Sequence, residues 1–466
     1  MNRFLEREEV NPNSLDSHGQ TLLSYAVSEE HEGVGLLLGR KDVSPNSPDP
    51  NGRTPLSDAV SRGLEGVVKL LLGRKDVNPN LPDISGLPPL SSTVVFANEA
   101  IVKLFLERGD VNLDSPDGSG RTPLSFAASI GQEDLVKFFL EHGNVNPNLS
   151  DSVGRAPLSY AASEGHEGLA KLLLGRRDIN PNTSDSSGRT PLSFAALQRH
   201  EGVVKLLLSR RDVNPDLLDI SGRTPLSYAA FSGAGDAVKL LLDRGDVNSG
   251  PSDIRGRTPL SYATLGGHEG VVKLLLGRGD VSSNSSDSCG LTPLSYATVF
   301  EDKGVVRLLL EHGSVNLDSP DSGGQTSPSF AIPRAEGAVL LPKRGNDNLW
   351  GDSGRRLLLF AAWVGDKDLV GLLLERGDAN PNFPDGNFRT PLSLAASEGH
   401  ESVVKLLLER DEVNHYSQDY YGQTPLSHAA SGGYDGIVKL LLEHHKTNPN
   451  LPDRSGRTPL SFAALG

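Results

Sequence analysis

The segment Gly256-Arg257-Thr258-Pro259-Leu260-Ser261 recurs along the whole chain and decides its fold. Identical or related segments begin at fourteen positions: Gly19, Gly52, Gly86, Gly120, Gly154, Gly188, Gly222, Gly256, Gly290, Gly324, Gly354, Phe388, Gly422 and Gly456. Every interval from Gly52 to Gly324 is 34 residues, whereas Gly324 and Gly354 are only 30 residues apart. A fixed period of this length indicates a repeat protein, so we expect the 466 residues to form one linear array.

Each repeat encodes two short helices, as residues 154–187 illustrate. Pro157 suits the first position of a helix, where its missing N–H costs nothing, and in most repeats the preceding residue is a Thr that can cap that helix. Gly165 can adopt the left-handed conformation that ends a helix. A second helix is predicted from about Glu167 to Leu174, because its apolar residues fall on one face. The pattern therefore predicts an all-α array of helix pairs.

A turn-rich finger follows each helix pair. Asp185 lies three residues before Gly188, and an Asp has the same offset in many other repeats: Asp49, Asp83, Asp117, Asp219, Asp253, Asp287 and Asp453. The short carboxylate of Asp can accept hydrogen bonds from nearby backbone N–H groups. We expect these carboxylates to hold the backbone of the fingers.

The repeat at Gly256 resembles the ankyrin repeat in its Thr258-Pro259-Leu260 step, its Gly267-His268 step, its Val271–Leu276 helix and the closing Asp280-Val281. The resemblance covers essentially the whole chain. It implies an all-α solenoid of stacked helix-turn-helix ankyrin repeats with β-turn or hairpin fingers. It also implies that the protein binds one or more partner proteins on a concave face.

Two features depart from the family pattern. The residue after Pro-Leu is a His that links neighbouring repeats in the family, but it is Ser in thirteen of the fourteen repeats here, with Leu359 as the exception. Because a Ser side chain is shorter, we expect looser polar links between repeats. The finger is also one residue longer than usual and carries Asn-Pro-Asn, as at Asn78-Pro79-Asn80. This style resembles the arrays of large fungal proteins, including the sensor halves of NACHT-type NTPases.

Composition excludes several classes of function. A single cysteine, Cys289, rules out a disulfide framework and a structural zinc site, and it fits an intracellular, cytoplasmic protein. The net charge of −14 is spread along the chain, so the sequence offers no basic patch for nucleic acid. No apolar run is long enough to span a membrane. We expect neither nucleic acid nor membrane nor small-molecule substrate as a partner.

No residue pattern indicates catalysis, a cofactor or a metal. The Ser after Pro-Leu recurs too often to be a nucleophile, and no repeat supplies a unique base for it. Histidines ahead of the second helix recur in the same way, at His166, His200, His268 and His400. His415 and the pair His444-His445 depart from the pattern, and we expect them to be solvated. A phosphate-binding loop is not found in the sequence either.

One position offers a candidate binding stripe. Nine residues after the first residue of the motif, most outer repeats carry Ser: Ser28, Ser61, Ser129, Ser163, Ser397 and Ser431. The central repeats carry apolar residues there: Leu197, Phe231, Leu265, Val299 and, beyond the irregular repeat, Trp363. We expect stacking to align these five side chains as a surface for a partner. The alternative is that they fill gaps between adjacent helices.

The repeats define the expected domain boundaries. Residues 1–18 are a partial repeat, 19–323 are repeats one to nine, 324–353 are a degenerate repeat, 354–455 are repeats eleven to thirteen, and 456–466 are a truncated repeat. Pro333 and Pro342 would disturb both helices of the degenerate repeat. It is either a hinge or a decayed repeat.

Both ends of the sequence fall inside a repeat, which leaves two functions open. One is an autonomous scaffold that binds proteins. The other is the ligand-sensing arm of a larger signalling protein, such as a NACHT-type NTPase, whose catalytic domain lies elsewhere. Incomplete ends would also allow self-association end to end.

Overall fold

A computed structural model describes residues 11–96, 98–142, 144–300, 302–312, 315, 353–377, 379–444 and 447–464. The chain divides into two compact units, Met1–Asn248 and Ser249–Gly466, here called the first and second units. The predicted changes at Pro333 and Pro342 lie outside the described residues.

The described residues form 25 helices and no strand, which confirms the predicted all-α fold. Their bounds are α1 Leu22–Ser28, α2 Val34–Gly39, α3 Pro55–Ser61, α4 Glu65–Leu72, α5 Pro89–Val95, α6 Glu99–Arg108, α7 Pro123–Ser129, α8 Glu133–His142, α9 Pro157–Glu164, α10 Glu167–Leu174, α11 Pro191–Leu197, α12 Glu201–Ser209, α13 Pro225–Ser232, α14 Gly235–Asp243, α15 Pro259–Leu265, α16 Glu269–Leu276, α17 Pro293–Val299, α18 Lys303–Glu311, α19 Ser353–Val364, α20 Lys367–Arg376, α21 Pro391–Ser397, α22 Glu401–Leu408, α23 Pro425–Ser431, α24 Asp435–Glu443 and α25 Pro459–Ala463.

The first helix of a repeat begins where the motif predicts. In α11, Thr190 Oγ1 accepts a hydrogen bond from the Ser193 N–H at 3.2 Å, and Pro191 occupies the first turn. The Ser193 hydroxyl lies 3.1 Å from the Thr190 hydroxyl, and both side chains are buried. The Ser that replaces the family His therefore completes the cap of its own helix.

The second helix of a repeat buries one face and exposes the other. In α12, Val203, Val204 and Leu207 are buried. First helices pack on first helices of neighbouring repeats and second helices on second helices, so apolar layers repeat along each unit. Full burial of each such side chain stabilises the fold by about 1.5–3 kcal/mol.

An Asn in each regular finger bonds to the next repeat, and we call this contact the Asn rung. Asn148 Nδ2 donates to the Asp178 carbonyl at 2.7 Å, and Asn148 Oδ1 accepts from the Asn180 N–H at 2.8 Å. The same two bonds are made by Asn13, Asn46, Asn80, Asn182 and Asn382. Except at Asn46, which follows Ser44-Pro45, this Asn ends the Asn-Pro-Asn of the long finger, so the longer finger supplies a link between repeats.

An Arg after the second helix bonds back to the preceding repeat, and we call this contact the Arg rung. Arg210 Nη1 donates to the carbonyls of Leu174 and Arg176 at 3.0 and 3.1 Å, and Asp212 holds the same guanidinium at 2.5 Å. These carbonyls end the preceding helix and lack partners within it, so the Arg caps that helix. Equivalent bonds start from Arg74, Arg108 and Arg176, whereas Arg244 Nη2 donates to the Val213 carbonyl of the preceding finger at 2.9 Å. Asn and Arg side chains, rather than the Ser that replaces the family His, thus link neighbouring repeats, and the expectation of looser polar links stays a prediction.

The contact between the repeats at Gly290 and Gly354 is of another kind. Arg307 Nη2 pairs with Asp366 Oδ1 at 2.7 Å, and Lys303 Nζ donates to the Val364 carbonyl at 2.8 Å. These residues are 59 and 61 positions apart, whereas the rungs join residues 30 to 36 apart. The helix that starts this repeat, α19, begins at Ser353, ahead of the motif glycine, because no Pro sets its first turn.

Candidate binding surface

The base of several fingers holds a carboxylate, a guanidinium and an aromatic ring together, as at Asp219. Asp219 Oδ1 accepts from the N–H groups of Ser221 and Arg223, both at 2.8 Å. Asp219 Oδ2 accepts from Arg223 Nε at 2.9 Å and from the Tyr228 hydroxyl at 2.6 Å. The side chain of Asp219 has no exposed surface. The prediction that these Asp carboxylates hold the fingers is confirmed at each of the predicted positions.

Burial and hydrogen bonding shift the titration of these groups. Burial alone would raise the pKa of the Asp219 carboxyl, but the bonds from Tyr228 and Arg223 outweigh it and the pKa lies below its usual value. Burial, with the bond to Asp151, raises the pKa of Tyr160 to about 12. The Asp219 carboxylate is therefore ionised and the Tyr160 phenol neutral near pH 7, so they hold the structure rather than act as a general base or acid.

Guanidinium groups lie over the aromatic rings of the first helices. Arg189 and Arg155 both lie 4.7 Å from the centre of the Phe194 ring. Similar pairs recur at Arg121 with Phe126, Arg223 with Tyr228, Arg257 with Tyr262 and Arg457 with Phe462. A stack of this kind fixes the Arg side chain and leaves its edges toward solvent.

In the first unit, the candidate stripe consists of Leu197 and Phe231. Leu197 ends α11 and is partly buried, whereas Phe231 lies in the last turn of α13 and is 49 % exposed. The two helices pack against each other. At the equivalent position Ser163 and Ser129 bond back to carbonyls of their own helices. An apolar side chain cannot do this, so Phe231 adds apolar surface where other repeats have a satisfied hydroxyl.

In the second unit, the candidate stripe consists of Leu265, Val299 and Trp363. Val299 is 41 % exposed, and Leu265 is partly buried. Trp363 is partly buried, with its ring 6.5 Å from that of the buried Phe360. Val299 thus resembles Phe231, whereas Leu265 and Trp363 also pack inward, as the gap-filling alternative requires.

Sequence reasoning missed three exposed residues at the same end of a first helix. Phe300 follows Val299 and is 59 % exposed, while Val95 and Phe96 are 47 % and 55 % exposed in an outer repeat. Val95 occupies the stripe position itself, nine residues after Gly86, and Phe96 and Phe300 occupy the next position.

The histidines fall into two groups. His200 Nε2 lies 3.1 Å from the Ser163 carbonyl, and His400 Nε2 lies 2.8 Å from the Trp363 carbonyl, so both link neighbouring repeats. His415 is only 1 % exposed, and its ring stacks on that of His444 at 4.2 Å. The expectation that His415 is solvated was wrong, because it occupies the buried Pro position of Asn-Pro-Asn. His445 lies outside the described residues.

Successive helix pairs, each bonded to the next and separated by a finger, define a helical repeat protein in which each layer contacts its neighbours. The family model for ankyrin repeats, described as three copies, matches residues 1–83, 91–185, 167–251, 248–321, 357–453 and 410–466. The chain therefore belongs to the ankyrin repeat family, as its sequence indicated. A search of curated proteins finds no match.

Membership has a general consequence for function. Ankyrin repeats are in general modules of protein–protein interaction, and the family is typically non-catalytic. No helix within the described ranges combines the length and apolar character needed to cross a bilayer.

Proposed function

We propose that this protein is a non-catalytic scaffold that binds a partner protein on the concave face formed by its fingers and first helices. In the first unit the binding residues are Leu197 and Phe231, and in the second unit they are Leu265, Val299 and Trp363. The observation that carries the proposal is the exposure of Phe231 and Val299 at a position where most outer repeats carry a Ser, which in the Ser129 and Ser163 repeats bonds to its own helix. Burial of an exposed aromatic ring is a frequent source of binding energy.

The surroundings of Phe231 support this assignment. The fingers present Arg side chains that are stacked on rings and tied to buried carboxylates, and such side chains lose little freedom on binding. A surface of rigid Arg and aromatic residues around apolar centres is typical of protein interfaces.

The test uses the full chain with two sets of variants. Leu197→Ser with Phe231→Ser changes the first unit, and Leu265→Ser with Val299→Ser changes the second. Leu36→Ser with Leu70→Ser is the matched control, because these leucines are 50 % and 49 % exposed but lie on second helices. Proteins captured from a cell extract are compared by quantitative mass spectrometry.

We expect the stripe variants to lose a defined set of proteins that the control variant retains, with unchanged circular dichroism. Each hydroxyl in place of an apolar anchor should weaken binding by about tenfold. Equal capture by all variants would contradict the proposal.

A further inference from the structure

Exposed aromatic side chains are concentrated in one repeat. In the described part of the chain, the aromatic residues classed among the exposed large apolar ones are Tyr25, Phe96, Phe231, Phe300, Phe388, Tyr416, Tyr420 and Tyr421. Half of them lie in the single repeat that begins at Phe388. Their exposed fractions are between 53 % and 61 %. Tyr and other aromatic residues are enriched at the centres of protein interfaces, so this concentration of exposed rings indicates a binding surface.

Phe388 is held in a backbone conformation that disfavours it. Its φ is +64°, and the equivalent residues of the other described fingers are glycines with φ between 71° and 83°. A bulky residue at positive φ is strained. The turn is nevertheless kept, because the Phe388 N–H donates to the Asp385 carbonyl at 3.0 Å as Gly188 donates to Asp185 at 2.8 Å. Strain that persists in an exposed loop points to a function for the side chain.

The geometry of the other fingers places Phe388 beside Tyr420. A side-chain carbon added at Gly154 would lie 2.7 Å from the backbone nitrogen of Ser186, which is 32 residues later in the next finger. The residue 32 positions after Phe388 is Tyr420. The two fingers are joined by the same bond as in the regular case, since the Tyr420 N–H donates to the Asn387 carbonyl at 2.8 Å. Phe388 and Tyr420 therefore belong to one surface.

The rings on the second finger are arranged at right angles. The Tyr420 and Tyr421 rings are 5.4 Å apart, with an angle of 89° between their planes. Tyr416 precedes them on the same finger and is 55 % exposed. The guanidinium of Arg454, from the next finger, lies 5.0 Å above the Tyr420 ring. The contacts between three successive fingers thus bring Phe388, Tyr420, Tyr421 and Arg454 together, and Tyr416 lies on the same finger as the other two tyrosines.

The charge of this surface comes from Arg454. The Asp carboxylates at the bases of these fingers are already bonded: Asp385 to Arg389 at 2.8 Å, Asp419 to His428 at 3.0 Å and Asp453 to Arg457 at 2.9 Å. Arg454 is exposed and, among the described residues, makes no ion pair with a carboxylate. A guanidinium stacked on a ring keeps its N–H edge available for a carboxylate. Arg454 thus presents an exposed positive charge on a chain whose net charge is −14.

We propose that Phe388, Tyr416, Tyr420, Tyr421 and Arg454, here called the aromatic finger surface, bind an acidic peptide segment of a partner protein. The rings receive an apolar side chain of that segment, and Arg454 binds its carboxylate. This deepens the proposed scaffold function and rests on it, but it uses different residues from the stripe. The chain as a whole is negative and repels an acidic segment, so the exposed charge of Arg454 also favours binding at this surface.

The test selects binders from a displayed library of random linear peptides on the immobilised full chain. We expect the enriched peptides to carry Asp or Glu next to an apolar residue. Their affinity should fall about tenfold or more for Arg454→Gln and for Tyr420→Ala with Tyr421→Ala. Tyr25→Ala is the matched control, because Tyr25 is 46 % exposed in the first unit, and its affinity should not change.

Phe388→Gly separates binding from folding. Glycine relieves the positive φ, so this variant should melt at a higher temperature and yet bind the selected peptides several-fold more weakly. A merely structural Phe388 would not lower affinity while stability rises. The alanine variants are checked by circular dichroism and thermal unfolding.

Three outcomes would overturn the proposal: no enriched peptide, enriched peptides without carboxylates, or Arg454 and Tyr variants that bind the peptides as tightly as the unchanged chain does. The stripe variants of the first unit are measured against the same peptides and should bind them normally. Loss of extract partners by the stripe variants, together with unchanged peptide binding, distinguishes the two proposals from each other.

Discussion

The contact between two neighbouring repeats is here called a joint. The joints between regular repeats differ from the joint between the repeats at Gly290 and Gly354. A regular joint, such as the one between the Gly154 and Gly188 repeats, is held by the Asn182 rung between the two fingers and by the Arg210 rung along the helices. These bonds mainly reach backbone groups. The joint at Gly290 is held by Lys303 and by an ion pair between Arg307 and Asp366.

The difference lies in what each joint requires of the sequence. Rungs to the backbone need only the right finger geometry, which every repeat of the same length provides. The contacts of Arg307 and Lys303 span 59 and 61 residues, which is about one 30-residue interval more than the separations within regular joints. The repeats at Gly290 and Gly354 are therefore in direct contact, and specific opposite charges replace the rungs there.

Removal of an Arg rung should have the largest effect on a regular joint. Arg210→Ala deletes the guanidinium that caps the carbonyls at the end of α10, and it leaves those carbonyls and Asp212 without their partner. We expect the free energy of unfolding to fall by about 2–3 kcal/mol. Urea unfolding followed by circular dichroism measures it. Arg211→Ala is the control, because Arg211 is exposed, and it should change stability by less than about 0.5 kcal/mol.

The irregular joint should respond to charge rather than to shape. Arg307→Glu places a carboxylate against those of Asp366 and Asp368, and we expect a loss of about 1–2 kcal/mol that diminishes as salt is raised. Asp368→Lys in the same chain should restore part of it, because Asp368 also pairs with Arg307 and, unlike Asp366, does not cap α20. Thermal unfolding at low and high salt measures both variants. If the double variant is as unstable as the sum of the single ones, the direct contact is not as described.

Two fingers carry an Asp in place of the Asn of the rung, and they should gain stability when the Asn is restored. Asp114 accepts the Asn146 N–H at 3.1 Å but has no N–H of its own to donate. Burial raises the pKa of the Asp114 carboxyl, so its ionised form opposes folding. Asp114→Asn should therefore stabilise the protein by about 1 kcal/mol at pH 7.

The pH dependence of this gain has a definite sign. A carboxyl whose pKa is raised on folding contributes most below its unfolded pKa of about 3.9, and that contribution is lost as the pH rises through the folded pKa. The gain from Asp114→Asn should thus shrink below about pH 4. Asn148→Asp is the reverse control and should lose about 1 kcal/mol at pH 7. Unfolding curves at pH 7 and below about pH 4 measure this gain. A gain that did not depend on pH would contradict the role given to the Asp114 carboxyl.

Local patterns in the sequence predicted the helices and caps but not the links between repeats. Thr190, Pro191 and Ser193 are close in sequence, so their cap follows from residue types alone. The Asn and Arg rungs join residues about 30 to 36 positions apart, and they depend on the finger geometry that only the folded joint reveals. The contact of His415 with His444 was not predicted for the same reason, because a histidine in a Pro position is expected to be exposed unless the next repeat is known to cover it.

The candidate stripe could be predicted only in part for a related reason. Position in the repeat identified Phe231 and Val299, which are exposed, but it could not separate them from Leu265 and Trp363, whose burial depends on neighbouring side chains. The aromatic finger surface escaped the sequence pattern because its residues lie on three fingers and become adjacent only when the fingers are bonded together.

The Asn rung makes the repeats interchangeable. The side chain of Asn148 forms hydrogen bonds only with a backbone N–H and a backbone carbonyl of the next repeat. Any following repeat with the same finger length therefore presents the same two groups. If a whole 34-residue repeat were duplicated or lost in the gene, the Asn of every rung would still find a backbone partner in the following repeat. Length can thus change by recombination without a compensating mutation at each new contact, whereas a joint built on Arg307 and Asp366 has to be inherited as a pair.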